Sequence, residues 1–225
     1  GEPTSLEIAT GHKGKTAARL TATGQAAHSA LAPTALNAIH MACDMVGVLR
    51  QMQEDLAQNG IQDVAYDVPY TTVHVGRMQG GVALNIVPDA ASFEFEIRNL
   101  PEDDPDRLFA RIAEGCEAYL TPLRNRFPEA DLRIEITNSY PPLGTALDAP
   151  VVGFVQSLTG RSTTIKVAFG TEGGLFSTRL GVSTVVCGPG SMAQGHRPDE
   201  FIRTSDLAAC DAMMDMLLDR LQAGL

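Results

Sequence analysis

Apolar and polar residues alternate along four short segments, and this period of two is typical of strands buried on one face. The clearest case is ASFEFEIR, where Phe93, Phe95 and Ile97 share one side and Glu94 and Glu96 share the other. The alternation predicts four half-buried strands, at residues 16–23, 71–78, 91–98 and 131–137.

Two helical patterns interrupt these strands. Apolar residues three or four positions apart predict a helix over residues 34–58, with Thr34 as its N-cap and Gly60 just beyond its end. Asp104 followed by Pro105 predicts the start of a second helix, because aspartate caps well and proline suits the first turn. The predicted order of elements is therefore β-α-β-β-α-β.

Two helices can cover only one face of a four-stranded sheet, and each predicted strand is apolar on one face only. This order of elements, with one covered face, is the ferredoxin-like pattern. We therefore predict an α/β protein whose first part is a ferredoxin-like βαββαβ domain.

The chain changes character after the Pro141-Pro142 pair. Residues 182–187 are nearly all apolar, which is typical of a parallel strand buried on both faces. The remaining patterns predict a strand at 163–168 and helices at 150–158, 172–179 and 205–222. Two parallel strands cannot close a core alone, so this part is expected to belong to a larger α/β layer.

Composition and charge exclude several classes of protein. The chain has 225 residues, of which 44% are hydrophobic, so it is not a disordered polymer. No apolar run reaches the length of about 20 residues that spans a bilayer. The net charge of −10 repels phosphate backbones and anionic lipid, so neither a nucleic-acid partner nor a membrane partner is expected.

The four cysteines are scattered, without a CxxC pair. Cys43, Cys116 and Cys210 lie on the apolar stripes of predicted helices. We therefore expect buried, reduced thiols in a cytoplasmic protein, not disulfides.

Three polar residues in predicted loops are candidates for ligand binding or acid–base catalysis. His196 follows the predicted buried strand, and loops after the carboxyl ends of parallel strands often hold ligands. His28 lies among small residues that let another molecule approach it, and Glu2 precedes a rigid proline. Taken singly, each of the three also fits an ordinary solvated side chain.

In combination, the motifs resemble the M20 family of zinc amidohydrolases, across essentially the whole chain. The matching segments are GEPT (1–4), HKG (12–14), GQAAHS (24–29), GGVALNIVPDAASFEFEIR (80–98), GTEGGLF (170–176) and CGPGSMAQGHRPDEFI (187–202). The resemblance implies a ferredoxin-like lid domain that forms a homodimer, plus the C-terminal part of an α/β zinc-peptidase-like catalytic domain. The implied divisions are residues 1–10 as a strand leading out of the catalytic domain, 11–140 as the lid and 141–225 as catalytic.

The resemblance also implies roles for individual residues. Glu2 is similar to the carboxylate ligand of one zinc ion, and His196 to the imidazole ligand of the other. His28 resembles the lid histidine that reaches the partner subunit's site and stabilises an oxyanion. Asn85 and Arg98 match positions that bind substrate, Arg98 through a carboxylate.

A further set matches the wall of the family's substrate pocket, at the start of a helix where an anionic group is favoured. Its members are Gly170, Thr171, Glu172 and Gly173.

The implied reaction is hydrolysis of a small N-acyl amino acid, in which two zinc ions, with Co²⁺ as an alternative metal, activate a water molecule. The branch that the motifs resemble most acts on N-acetyl-L-ornithine in arginine biosynthesis, and N-succinyl-diaminopimelate hydrolases are near neighbours. The family's His-x-Asp motif, bridging Asp and Glu-Glu pair precede GEPT and are not present here, so we expect the 225-residue chain alone to be inactive.

Two other hypotheses remain open. The chain could be a binding or dimerisation module that lacks catalysis. Alternatively, Cys187 could act as a nucleophile with His196, although Cys187 ends an apolar segment that has no basic neighbour in sequence.

Overall fold

The structure, a computed structural model, describes residues 1–224. The chain divides into two compact units. Unit 1 comprises Gly1–Lys13, Val64–Asp67 and Pro141–Leu225, and unit 2 comprises Gly14–Asp63 and Val68–Tyr140.

Unit 2 is built on a four-stranded antiparallel sheet. Its strands are β2 (Lys15–Thr23), β3 (Thr72–Gly80), β4 (Ala90–Arg98) and β5 (Asp131–Tyr140), in the spatial order β3-β4-β2-β5. The first strand of this domain thus lies centrally between the third and the fourth, which is the ferredoxin-like arrangement. The predicted fold of this part is confirmed.

Two helices, α1 (Ala38–Asn59) and α2 (Pro105–Arg124), pack on one face of this sheet. The predicted cap of α2 is correct, since the Asp104 carboxylate accepts the Asp106 N–H over 2.9 Å. The predicted cap of α1 is wrong: Thr34 ends a 3₁₀ helix (Ser29–Thr34), and the Asn37 side chain caps α1 instead.

The core of unit 2 lies between the helices and the apolar face of the sheet. Phe93, Phe95 and Ile97 of β4 are buried there, as their alternation predicts, together with Cys116 of α2. Cys43 is exposed on α1, which corrects the prediction that it is buried, because the buried stripe runs through the neighbouring Met41, Ala42 and Met45. All four thiols are free.

Unit 1 contains a three-stranded sheet in the order β6-β1-β7. Its strands are β1 (Ile8–His12), β6 (Leu143–Gly144) and β7 (Thr164–Val167), and its helices are α3 (Pro150–Thr159), α4 (Gly173–Leu180) and α5 (Thr204–Ala223). β1 pairs in parallel with β7 and antiparallel with β6. The small core comprises Ala9, Leu143, Val167 and Val186.

The predicted parallel strand at residues 182–187 is wrong. This segment forms no regular strand; it meets β1 only at an isolated antiparallel bridge between Ala9 and Val186. Val182 is 52% exposed, so the apolar run is not buried on both faces.

The last helix, α5, has the predicted extent but not the predicted burial. None of its described residues is buried; Leu207 and Leu221, which lie on the predicted apolar stripe, are 44% and 52% exposed.

None of the helices within residues 1–224 is both long enough and apolar enough to span a membrane.

Candidate functional site

The segment that carries Glu2 lies against the loop that precedes His196. The Thr4 N–H donates to the Gly188 carbonyl over 3.3 Å, and the Gly188 N–H donates to the Thr4 hydroxyl over 3.1 Å. A Cβ on Gly188 would lie 2.6 Å from the Glu2 carbonyl oxygen, so only glycine permits this approach. The half-buried Glu2 is therefore held next to the loop that leads to His196.

His196 lies on an exposed part of this loop. Its backbone has a φ of 59°, a left-handed conformation that is uncommon for residues other than glycine. The Glu200 carboxylate accepts the His196 N–H over 3.0 Å and helps to hold this turn. The imidazole itself makes no hydrogen bond among the described residues, so both ring nitrogens are available to a ligand.

The donor set of unit 1 is too small for a complete metal site. Within residues 1–224, no three His, Cys, Asp or Glu side chains form a group that could hold a metal ion. A closed zinc site takes about four ligands, and Glu2 and His196 offer one each. Glu2 and His196 therefore fit part of a zinc site, but the described residues alone do not complete one.

In unit 2, the structure brings His28 and Asn85 together. The loop after β2 extends the pairing of β2 with β4, through a bridge between His28 and Ile86. The Ser29 N–H donates to the Asn85 carbonyl over 3.0 Å. Both His28 and Asn85 are exposed, so their side chains share one accessible loop cluster.

The hydrogen bonding of His28 determines which ring nitrogen carries the proton. The Ala30 N–H donates to the His28 Nδ1 over 3.2 Å. A nitrogen that accepts a hydrogen bond has no proton, so the neutral ring carries its proton on Nε2. The exposed imidazole thus presents an N–H donor to an incoming group.

Arg98 lies at the end of β4 on the polar face of the sheet. Its Nε donates to Glu96 Oε1 over 2.9 Å, its Nη2 to Glu96 Oε2 over 3.4 Å and its Nη1 to the Tyr140 hydroxyl over 2.8 Å. These bonds use three of the five guanidinium N–H groups. One N–H remains on each terminal nitrogen and is available to donate to a carboxylate oxygen.

Glu96 and Tyr140 are the functional candidates that sequence reasoning did not identify. Partial burial acts to raise the pKa of Glu96, but the hydrogen bond from Arg98 and the charges of Arg98, Lys15 and His74 outweigh burial and lower it. Glu96 therefore stays ionised and holds Arg98. The available signal was the i, i+2 spacing, which puts Glu96 and Arg98 on one face of a strand.

His28 and Arg98 lie toward opposite ends of the sheet. β4 pairs with β2 from Ala90 opposite Thr23 to Ile97 opposite Thr16, and the His28 loop extends beyond the Ala90 end. The length of β4 alone separates Ala90 from Arg98 by about 27 Å, at about 3.4 Å per residue. One small substrate cannot touch both side chains of the same chain.

The predicted pocket-wall residues lie at the start of α4. The Thr171 hydroxyl accepts the Gly173 N–H over 2.9 Å and is 9% exposed. Glu172 is exposed, and Gly170 is half-buried. A side chain at Gly173 would make close contacts, since its Cβ would lie 3.0 Å from the Thr171 hydroxyl oxygen.

The structure also bears on the Cys187 hypothesis. Burial raises the pKa of the Cys187 thiol, although Thr4, the N-terminus and Arg161 act in the opposite direction. A nucleophilic cysteine needs a lowered pKa, so this environment disfavours the hypothesis.

Comparisons with known proteins agree with this architecture. The M20 peptidase dimerisation domain matches residues 10–122. Acetylornithine deacetylase from Myxococcus xanthus is 32% identical over 217 residues, covering 95% of this chain and 54% of that protein. The enzyme of the same name from Pasteurella multocida is 30% identical over 224 residues, covering 100% and 56%. The chain thus spans about half the length of these curated relatives.

Solved structures share the fold at low sequence identity. Aminopeptidase PepT from Bacillus cereus superposes with a TM-score of 0.67 at 22% identity, covering 93% of this chain and 52% of that one. An M20 family metallo-carboxypeptidase from Sulfolobus solfataricus gives a TM-score of 0.66 at 18% identity, covering 94% and 59%. The domain match over half the chain, supported by these similarities, shows that the chain belongs to the M20 family.

Proposed function

We propose that this chain is part of a metal-dependent M20 amidohydrolase that removes the acyl group from an N-acyl amino acid. N-acetyl-L-ornithine is the proposed substrate, because the curated relatives with about 30% identity are named for its deacetylation. The observation that carries the proposal is the exposed His28, whose Nδ1 is occupied by the Ala30 N–H and whose Nε2–H is free to donate.

His28 acts on the carbonyl oxygen of the scissile amide. When water adds to the carbonyl carbon, negative charge develops on that oxygen. The Nε2–H of His28 donates to it and stabilises the tetrahedral intermediate. Asn85, on the adjoining loop, supplies a second polar side chain for the substrate.

Arg98 binds the carboxylate of the amino acid. Glu96 and Tyr140 fix the plane of its guanidinium, and the two remaining N–H groups donate to the two carboxylate oxygens. Because Glu96 holds Arg98 through two oxygens, the guanidinium is ordered before substrate binds, which lowers the entropy lost on binding.

The separation of His28 from Arg98 supports a homodimer. A substrate held by Arg98 cannot reach the same chain's His28, about 27 Å or more along the sheet. A second copy would supply His28 to each site. The match of residues 10–122 to a peptidase dimerisation domain supports this arrangement.

We further propose zinc as the metal, with Glu2 as a ligand of one ion and His196 as a ligand of the other. When bound, zinc would activate the attacking water. Carboxylate and imidazole are ligands that zinc prefers, and the remaining ligands must come from outside the described residues. Gly170, Thr171, Glu172 and Gly173 are proposed to line the substrate pocket at the N-terminus of α4.

The experiment is a hydrolysis assay on the protein in its natural length, with N-acetyl-L-ornithine and N-succinyl-L,L-diaminopimelate as alternative substrates. We expect the acetyl substrate to be preferred. His28→Ala is expected to lower kcat by roughly 100- to 1000-fold, the usual cost of one oxyanion donor. The matched control is His40→Ala, which removes an exposed imidazole from α1.

Preference for the succinyl substrate would overturn the proposed specificity. Hydrolysis of neither substrate, by a protein that still dimerises, would favour the binding-module hypothesis. Equal loss of activity in both histidine variants would contradict the role of His28.

A further inference from the structure

A cavity of about 420 Å³ opens in unit 1 between four segments of the chain. Its walls come from the turn at Ser5 and Leu6, the turn at Arg161, the loop through Gly190, and the region at the start of α5. Small-molecule sites in proteins have volumes of about 300–1,000 Å³, so this cavity has room for a small metabolite. None of the residues in the proposed function lines it.

Two arginines line this cavity from different elements. Arg161 comes from the turn between α3 and β7, and Arg203 is the residue immediately before α5. Neither guanidinium forms a salt bridge or donates a side-chain hydrogen bond within the part of the chain that the structure describes. In a chain with a net charge of −10, acidic partners are plentiful, yet neither of these two arginines forms an ion pair among the described residues.

The remaining polar groups define the charge of the ligand. Asp206 lines the same cavity and makes no salt bridge among the described residues. Ser191 accepts the Ala193 N–H over 3.2 Å, which leaves its hydroxyl proton free to donate. Two guanidiniums and one carboxylate give a net charge of +1, which suits one anionic group and leaves Asp206 for a cation.

The wall facing these side chains is held firmly. Ser5 and Leu6 have φ angles of 56° and 58°, which are uncommon for residues with a Cβ. The Ser5 N–H donates to the Gly190 carbonyl over 2.6 Å, and the Leu6 N–H donates to the Gly188 carbonyl over 2.9 Å. A cavity with a fixed wall loses little entropy when a ligand enters.

We propose that this cavity binds an α-amino acid, with its carboxylate between Arg161 and Arg203 and its ammonium group toward Asp206. Guanidinium groups bind carboxylates through paired hydrogen bonds, and the aspartate disfavours a doubly charged anion such as phosphate. The proposal concerns binding alone and does not depend on hydrolysis.

The test is a titration of the chain with L-alanine, acetate and inorganic phosphate, followed by the amide NMR signals of Gly190, Ser191 and Gln194. We expect saturable shifts with L-alanine, weaker binding of acetate and still weaker binding of phosphate. Arg161→Gln and Arg203→Gln are each expected to weaken L-alanine binding by roughly tenfold, since each removes charged hydrogen bonds. Asp206→Asn is expected to weaken binding of L-alanine but not of acetate.

The matched control is Arg179→Gln, which removes an exposed arginine of α4 that does not line the cavity. Unchanged amide spectra outside the loop through Gly190 establish that each variant is folded. If a glutamine variant does not fold, the corresponding lysine variant, Arg161→Lys or Arg203→Lys, takes its place. Absence of saturation with L-alanine, tighter binding of phosphate, or binding that survives both arginine substitutions would each overturn the proposal.

Discussion

His12 is fully buried at the end of β1, where its Nδ1–H donates to the Lys13 carbonyl over 2.9 Å. Burial lowers the pKa of this imidazole below its ordinary value of 6.5, while the hydrogen bond to Lys13 acts in the opposite direction. The folded protein therefore binds a proton at His12 less readily than the unfolded chain does. This difference makes the stability of unit 1 depend on pH.

We predict that the free energy of unfolding decreases as the pH falls below about 6.5, the ordinary pKa of histidine. Above that pH His12 is neutral in both the folded and the unfolded state. Below it, the unfolded chain binds a proton before the folded protein does, so the free energy of unfolding falls by up to about 1.4 kcal/mol per pH unit. Urea unfolding followed by circular dichroism between pH 5 and pH 8 measures the slope. His12→Gln should flatten it and the exposed His40→Gln should not; equal slopes in both variants would refute the assignment.

The hydrogen bonding of side chains could not be predicted from sequence where the partner lies far along the chain or where it depends on the local fold. The motifs identified His28 and Arg98, but only the structure shows that Ala30 determines the His28 tautomer and that Tyr140 holds Arg98. Tyr140 lies 42 residues from Arg98 in sequence, and no local pattern reports such a contact.

At the scale of elements, prediction succeeded where neighbouring residues determine the local structure. It failed where the structure depends on pairing with a segment far away in sequence. Asp104 caps α2 as predicted, because the cap needs only its own neighbours. Thr34 does not cap α1, because Leu36 pairs with Gln25 and keeps the chain extended up to Asn37. Residues 182–187 have the composition of a buried strand, yet only Val186 pairs with β1.

A glycine substitution tests how the Glu2 segment packs against its loop. In Gly188→Ala the new methyl group would lie 2.6 Å from the Glu2 carbonyl oxygen and 2.9 Å from the Glu2 nitrogen, so backbone must move. We expect a loss of about 1–3 kcal/mol in the free energy of unfolding, the usual cost of overpacking.

The matched control is Gly153→Ala, in helix α3, where a Cβ meets nothing within 4 Å. Alanine favours a helix over glycine, so this variant should gain up to about 1 kcal/mol. Urea denaturation of both variants provides the measurement. If Gly188→Ala were as stable as Gly153→Ala, the Glu2 segment would not be packed as described.

At the scale of the molecule, unit 2 exposes a surface suited to a second copy. β3 is an edge strand of the sheet, so one side of its backbone has no strand partner among residues 1–224. The loop that follows exposes Val82 and Leu84, which are 88% and 101% accessible, beside the 41% exposed Ile86. Clustered exposed apolar residues of this kind mark protein interfaces.

We therefore predict that the chain is a dimer through β3 and this loop, with a mass of about twice 23.9 kDa by light scattering at micromolar concentration. Leu84→Glu should weaken the dimer by at least roughly tenfold, because the interface would bury an unpaired carboxylate. Leu147→Glu is the matched control, since Leu147 is a 67% exposed leucine of unit 1. A monomeric wild type, or two variants that dimerise equally well, would show that this surface is not the dimer interface. One copy could then not supply His28 to the other through it.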